Sequence, residues 1–104
     1  MELNGTEQYR RADIIIDAVC DVGEITYMDF VVEKRSVKLN TLRGVCCLLG
    51  WEYGVHPRKL AEMIKRSRSN VINQTNRYRK WLSSGDKLTV DCYKRVKQIV
   101  STLI

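Results

Sequence analysis

Between Lys65 and Lys80 the chain reads KRSRSNVINQTNRYRK, with six basic side chains, three asparagines, one glutamine and no acid. Such groups suit one kind of chemistry. Amides match the major-groove edge of adenine and guanidiniums that of guanine, while Arg, Lys and Ser all suit phosphate oxygens. At about 100° per residue, Val71, Thr75, Tyr78 and Leu82 fall in one narrow stripe, which is a face that packs. The opposite side carries Ser69, Asn70, Asn73, Asn76, Arg77 and Lys80. An ordinary solvated helix mixes Glu with Lys and gains i,i+4 pairs. This one has no acid to pair with, and asparagine is a mediocre helix former. The stretch gives up helix stability in exchange for hydrogen-bond donors.

Other chemistries have weaker support. The only histidine, His56, precedes Pro57 and reads as a cap or turn residue. Asp13 and Asp17 lie four apart with no histidine or cysteine cluster to join them, and read as a solvated face. Cys20, Cys46, Cys47 and Cys92 form no C-x-x-C pair, so zinc spacing is absent and no metal is expected. Cys46 and Cys47 sit in an apolar run as small core residues, and Cys20 and Cys92 are expected to be buried. No nucleophile, base and orienting group converge. The expectation is a non-enzyme without a cofactor. Trp51 and Trp81 flank the basic region and are assigned to packing ahead of stacking on bases. For Arg43, a phosphate contact and an intrahelical role stay equally open.

The elements that must position the polar face are helical. One proline and six glycines in 104 residues suit an all-α domain. Six helices are expected. The first runs from about Thr6 to Val22 and ends near Gly23. The second runs from about Thr26 to Glu33, with Thr26 as N-cap and Asp29 three residues on. A basic loop, EKRSVKL, follows. The third helix runs from about Asn40 to Tyr53, capped by Asn40 or Thr41 and closed by Gly54. The fourth runs from Pro57 to about Ile64, with Pro57 at its first position. The fifth runs from about Arg68 to Leu82, capped by Ser67, and the sixth from about Leu88 to Leu103.

In LAEMIKRSRSNV, small Ala61 lets two helices approach while Ile64 and Val71 seal the corner. This is the spacing of a helix-turn-helix over about residues 57–82, whose second helix enters the major groove. The turn usually carries glycine, and Lys65 stands there instead. A left-handed lysine costs about 1 kcal/mol or somewhat more, so either the turn differs in shape or the fold accepts the strain. Gln74 is a second departure, where many such motifs hold an apolar residue.

The length fits one domain, and 44% hydrophobic residues suffice for one modest core. Net charge is +6, unevenly placed. Residues 1–33 hold two basic and eight acidic side chains, a net of −6, whereas residues 34–104 hold sixteen and four, a net of +12. A basic C-terminal two thirds implies a polyanionic partner. There is no signal peptide and no apolar run of membrane length. With its unpaired cysteines, the chain is expected in a reducing cytoplasm, associated with the nucleoid.

The order of elements resembles the C-terminal DNA-binding domain of the bacterial replication initiator DnaA, over about Asp13 to Leu103. KRS at 34–36 is similar to that family's basic loop, LRGVCCLLGWEY at 42–53 to its long helix, and LAEMI at 60–64 to its first motif helix. RSRSNV at 66–71 lies where the family carries Arg-Asp-His-Thr-Thr-Val. The resemblance implies an all-α fold related to Trp repressor. Arg66 and Val71 match outright, and Ser69 replaces a threonine. Lys34 and Arg35 fall where the basic loop reaches toward a minor groove, as arginine favours. Ser67-Arg68 replaces Asp-His, Asn70 replaces the second threonine, and Lys65 replaces a glycine pair. The family's DNA target is therefore not carried across. No G-x-x-x-x-G-K-[ST] phosphate loop occurs, so no ATPase activity is expected. Met1 and a lead over residues 1–12, read as flexible, favour a complete small protein of residues 1–104.

The resulting expectation is a sequence-specific binder of double-stranded DNA in replication or transcription, on a chromosome or mobile element. Arg68, Ser69, Asn70, Asn73 and Arg77 would read the major groove. Arg66 and Lys80 would hold phosphates. Lys34, Arg35 and Lys38 would hold the backbone or enter the adjacent minor groove. The alternatives are a protein-interaction module using the acidic first helix against a basic partner, or an RNA-binding module, for which the basic face has few aromatics. With no heptad seam, a monomer is expected.

Overall fold

The computed structural model describes residues 3–104, which form six α-helices and no strand. They are α1 (Gly5–Gly23), α2 (Tyr27–Val31), α3 (Val37–Glu52), α4 (Pro57–Ile64), α5 (Arg68–Ser84) and α6 (Lys87–Leu103). Side chains start every one of them. Asn4 Oδ1 accepts the Glu7 amide at 2.8 Å ahead of α1. Thr26 and Asp29 close the expected capping box on α2, at 3.1 and 3.4 Å. His56 Nδ1 accepts the Arg58 amide before α4, with Pro57 at the first helical turn. Ser67 Oγ accepts the Asn70 amide before α5, and Asp86 the Thr89 amide before α6, both at 3.1 Å. Each oxygen or ring nitrogen satisfies a donor that the helix itself leaves orphaned.

Helix α2 ends at Val31 and not near Glu33, α5 runs on to Ser84 and not Leu82, and the start of α3 shifts for a local reason. Helix α3 begins at Val37, ahead of Asn40 and Thr41, because Ser36 is the cap and accepts the Leu39 amide at 3.0 Å. Lys38 thus belongs to the first turn of α3, while Lys34 and Arg35 stay in the loop. At the end of α1, Gly23 is still helical and Glu24 takes the left-handed conformation at φ 55°. Gly23 serves close packing instead, since a Cβ there would stand 2.5 Å from Leu42 Cδ1. The stretch 5–12, read as part of a lead, lies in α1 and buries Gln8 and Ala12.

Helix α3 is the axle of the fold. It is buried nearly all round, through Leu42, Val45, Cys46, Cys47, Leu48 and Leu49, and touches α1, α4, α5 and α6. A helix without a clear polar face belongs in the centre. Ile15 and Val19 of α1, Phe30 of α2, Leu60 and Ile64 of α4, Val71 of α5 and Val96 and Val100 of α6 close the core around it. The folded chain exposes 6389 Å². Against roughly 17,500 Å² for an unfolded chain of this mass, nearly two thirds is buried.

Helix α5 docks on α3 through the stripe read from its sequence: Val71, Thr75 and Tyr78 are buried, and Leu82 is half-buried. The Thr75 hydroxyl lies 2.8 Å from the Val71 carbonyl and 3.3 Å from the Cys47 carbonyl, so it is satisfied within α5 and faces α3. The Tyr78 ring lies flush on Gly44, where a Cβ would overlap it. All four cysteines are free and buried, and burial pushes the Cys47 thiol up to about 12. They are core residues held as neutral thiols.

Candidate nucleic-acid interface

Helices α4 and α5 are joined by three residues, Lys65 to Ser67. Lys65 is left-handed, at φ 59° and ψ 44°, so the fold accepts the strain where glycine would have avoided it. The reward is the sharp turn that closes α4, in which the Arg66 amide reaches the Ala61 carbonyl at 3.0 Å. Ser67 then opens α5 with its solvent face outward. Arg68, Ser69, Asn73, Asn76, Arg77 and Lys80 are exposed and Asn70 is half-buried. No acid interrupts this face.

Beside it runs an open cleft of about 590 Å³ between the 33–35 loop, α3 and α5. Lys34 and Arg35 form one wall, and Asn70, Gln74 and Arg77 the other. Asn40, Arg43, Arg66, Tyr78 and Trp81 complete the lining, and Glu33 is its single carboxylate. Four of the ten residues expected at the site (Lys34, Arg35, Asn70 and Arg77) therefore line one concavity together with a fifth, Arg66. Arg68, Ser69, Asn73 and Lys80 stand on α5 outside the cleft, and Lys38 is exposed on the first turn of α3.

Arg66 is half-buried and already engaged. Its Nη1 donates to the carbonyls of Val31 at 2.8 Å and Lys65 at 3.0 Å, and Nη2 to Val32 at 3.0 Å. Arg43 behaves in the same way. Nε donates to Phe30, Nη1 to Lys34 and Nη2 to Val32, at 3.0, 2.8 and 2.6 Å. Of the two roles open for Arg43, the intrahelical one is not seen: its guanidinium bonds outside its own helix and grips the preceding loop. Burial, and then the neighbouring Arg66 charge, lower the Arg43 pKa from its ordinary value.

Both tryptophans lie further out than a packing role requires. Trp51 is 52% exposed beneath the Arg79 guanidinium, 4.8 Å from its ring centroid. Trp81 is 42% exposed and meets Tyr78 edge-on at 4.8 Å, at the rim of the cleft. Three cleft residues carry other roles in the sequence reading: Trp81 as a packing residue, Asn40 as a cap and Gln74 as a departure from the motif's apolar position. The available signal was that Trp81 sits three residues after Tyr78 and so beside the packing stripe.

The acidic side lies elsewhere. Asp17, Asp21, Glu24 and Asp29 line a shallow hollow between α1 and α2 that shares no residue with the basic cleft. Among the described residues no group of three His, Cys, Asp or Glu side chains could hold a metal, and no helix is long and apolar enough to cross a membrane. No protein-family model, curated protein or solved structure matches the chain.

Proposed function

We propose that this chain binds double-stranded DNA in a sequence-specific manner, with α4 and α5 as a helix-turn-helix and α5 in the major groove. One observation carries the reading: the acid-free polar face of α5 and the basic loop border a single cleft that gathers Lys34, Arg35, Arg43, Arg66 and Arg77 against Glu33 alone. From Arg68 to Arg77, α5 rises about 13 Å, the length of about four base pairs at 3.4 Å each. Arg68, Ser69, Asn70, Asn73 and Arg77 face base edges along that span. Lys80 holds phosphate further along, and Lys34, Arg35 and Lys38 take the backbone or the adjacent minor groove. Arg66 contributes charge to the cleft while its donors serve the fold. The resemblance to the DnaA C-terminal domain supports the same docking, on a target that the altered residues at 67–70 make this chain's own, in replication or transcription.

The test is selection of bound duplexes from a random pool, followed by binding as salt is raised. An enriched motif of about one helical turn, bound with a steep salt dependence, is the expected result. Arg68→Ala or Asn73→Ala should relax base preference, while Arg35→Ala or Lys80→Ala should weaken binding on every sequence alike. Equal losses on all sequences from all four would overturn the groove assignment. A second reading, a protein-interaction module, draws on the acidic hollow of α1 and α2. It gains ground if no duplex is bound at low salt.

A further inference from the structure

The loop from Val32 to Ser36 has little of its own to hold it. All five residues are exposed, and the cap made by Ser36 fixes only its far end. What fixes the near end is a pair of guanidiniums. Arg43 reaches from α3 to the carbonyls of Phe30, Val32 and Lys34. Arg66 reaches from the α4–α5 turn to those of Val31 and Val32. They meet at the Val32 carbonyl, which both engage. No described carboxylate forms an ion pair with either, so two like charges are held together by carbonyl dipoles at the end of α2.

We infer that Arg43 and Arg66 are positioning residues that lock the Lys34–Arg35 loop in register with α5, so that loop and reading helix meet DNA as one rigid surface. This deepens the DNA-binding reading and rests on it. The chemistry requires arginine in particular. A guanidinium offers donors in a fixed planar fork and can hold three carbonyls at once, whereas an ammonium is a compact point charge on a flexible stem. Arg43→Lys therefore keeps the charge and loses the clamp. A direct phosphate contact would tolerate that change far better, which separates the two roles.

The experiment places Arg43→Lys and, as a second variant, Arg66→Lys in the wild-type chain and in Lys34→Ala/Arg35→Ala, with folding checked by circular dichroism. Affinity for a selected duplex, its salt slope, and the rate of tryptic cleavage after Lys34 and Arg35 are then measured. If both loop contacts are lost, the slope falls by about two, and affinity falls by up to about sixtyfold at 0.1 M salt. Partial loosening lowers affinity by a smaller factor, and the slope in proportion. Faster cleavage confined to the loop is expected in both lysine variants. In the Lys34→Ala/Arg35→Ala background neither should cost further affinity, because the clamp acts only through those side chains. Wild-type affinity in Arg43→Lys, or an equal loss in both backgrounds, overturns the inference. If no duplex is bound by the wild-type chain, the DNA reading fails separately. The cleavage measurement still decides the clamp, since unchanged loop cleavage in both folded lysine variants refutes it.

Discussion

Replacing Gly44 by alanine adds one methyl group where α3 and α5 touch. That Cβ would lie 2.5 Å from Tyr78 Cγ, and closer still to Cδ2 and Cε2. Ordinary carbon contacts need about 3.5 Å or more, so the helices must part, or the ring must move, by about 1 Å or more. The ring is hemmed: Tyr78 is 3% exposed, Trp81 stands edge-on to it at 4.8 Å, and its open side is toward the cleft. Overpacking a tight core costs about 1–3 kcal/mol and occasionally more. A clash with three atoms of a hemmed ring belongs at the top of that range. Helix propensity acts the other way, since Gly to Ala in a helix interior gains about 1 kcal/mol. The net expectation is a loss of about 2 kcal/mol or more. At 4–8 °C per kcal/mol for a domain of this size, Tm should fall by roughly 8–16 °C.

Urea unfolding followed by tryptophan fluorescence measures the change, and Gly5→Ala is the control. Gly5 sits in the first turn of α1, where among the described residues a Cβ meets only the flexible Lys59 Nζ at 3.7 Å, so that variant should be neutral or slightly stabilised. Tyr78→Leu in the Gly44→Ala chain should recover part of the loss, because the smaller side chain yields the space. If Gly44→Ala is as stable as the parent, or gains the 1 kcal/mol of propensity, the close approach of α3 and α5 is refuted.

Two further outcomes follow from the backbone and from charge. Lys65→Gly should stabilise the chain by about 1 kcal/mol in the same unfolding assay, because Lys65 occupies the left-handed region at φ 59°; no gain would mean that the lysine side chain repays its strain. The Arg10 and then the Arg11 guanidinium, both hydrogen-bonded to Glu7, hold its carboxyl down to about 2. A depressed carboxylate contributes stability that is fully present above its unfolded value near 4.5 and is lost as pH falls toward 2. Glu7→Gln should therefore flatten the acid limb of the Tm-against-pH profile over that window, and superimposable profiles would refute the pairing.

The parts of this fold legible in the sequence are those set by neighbours in the chain. Thr26 with Asp29, His56 with Pro57, and Ser67 each act within three residues, and each starts its helix where the sequence placed it. The α5 stripe of Val71, Thr75 and Tyr78 was legible for the same reason, as a period of 3.6. The start of α3 was not, because Ser36, Asn40 and Thr41 are all competent caps, and Ser36 is the one that accepts an amide, from Leu39. Gly23 and Gly44 were equally opaque. A glycine is written identically whether it frees a backbone angle or makes room for a partner, and the partners here, Leu42 and Tyr78, are nineteen and thirty-four residues away.

The candidate site divides along the same line. Its exposed donors on α5 are visible because their types are unusual for a solvated helix. Arg43 and Arg66 could be seen as basic residues near a basic loop, but charge alone cannot say whether a guanidinium faces a ligand or a carbonyl. The structure distinguishes these by the number of donors already spent. Arg43 has three nitrogens engaged, and Arg66 two, while Lys34, Arg35, Arg68 and Lys80 form no side-chain hydrogen bond and no ion pair among the described residues. Free donors on exposed cations are available to a polyanion without any internal bond being broken. Spent donors are not, so a cation that has spent them can serve recognition chiefly by holding others in place.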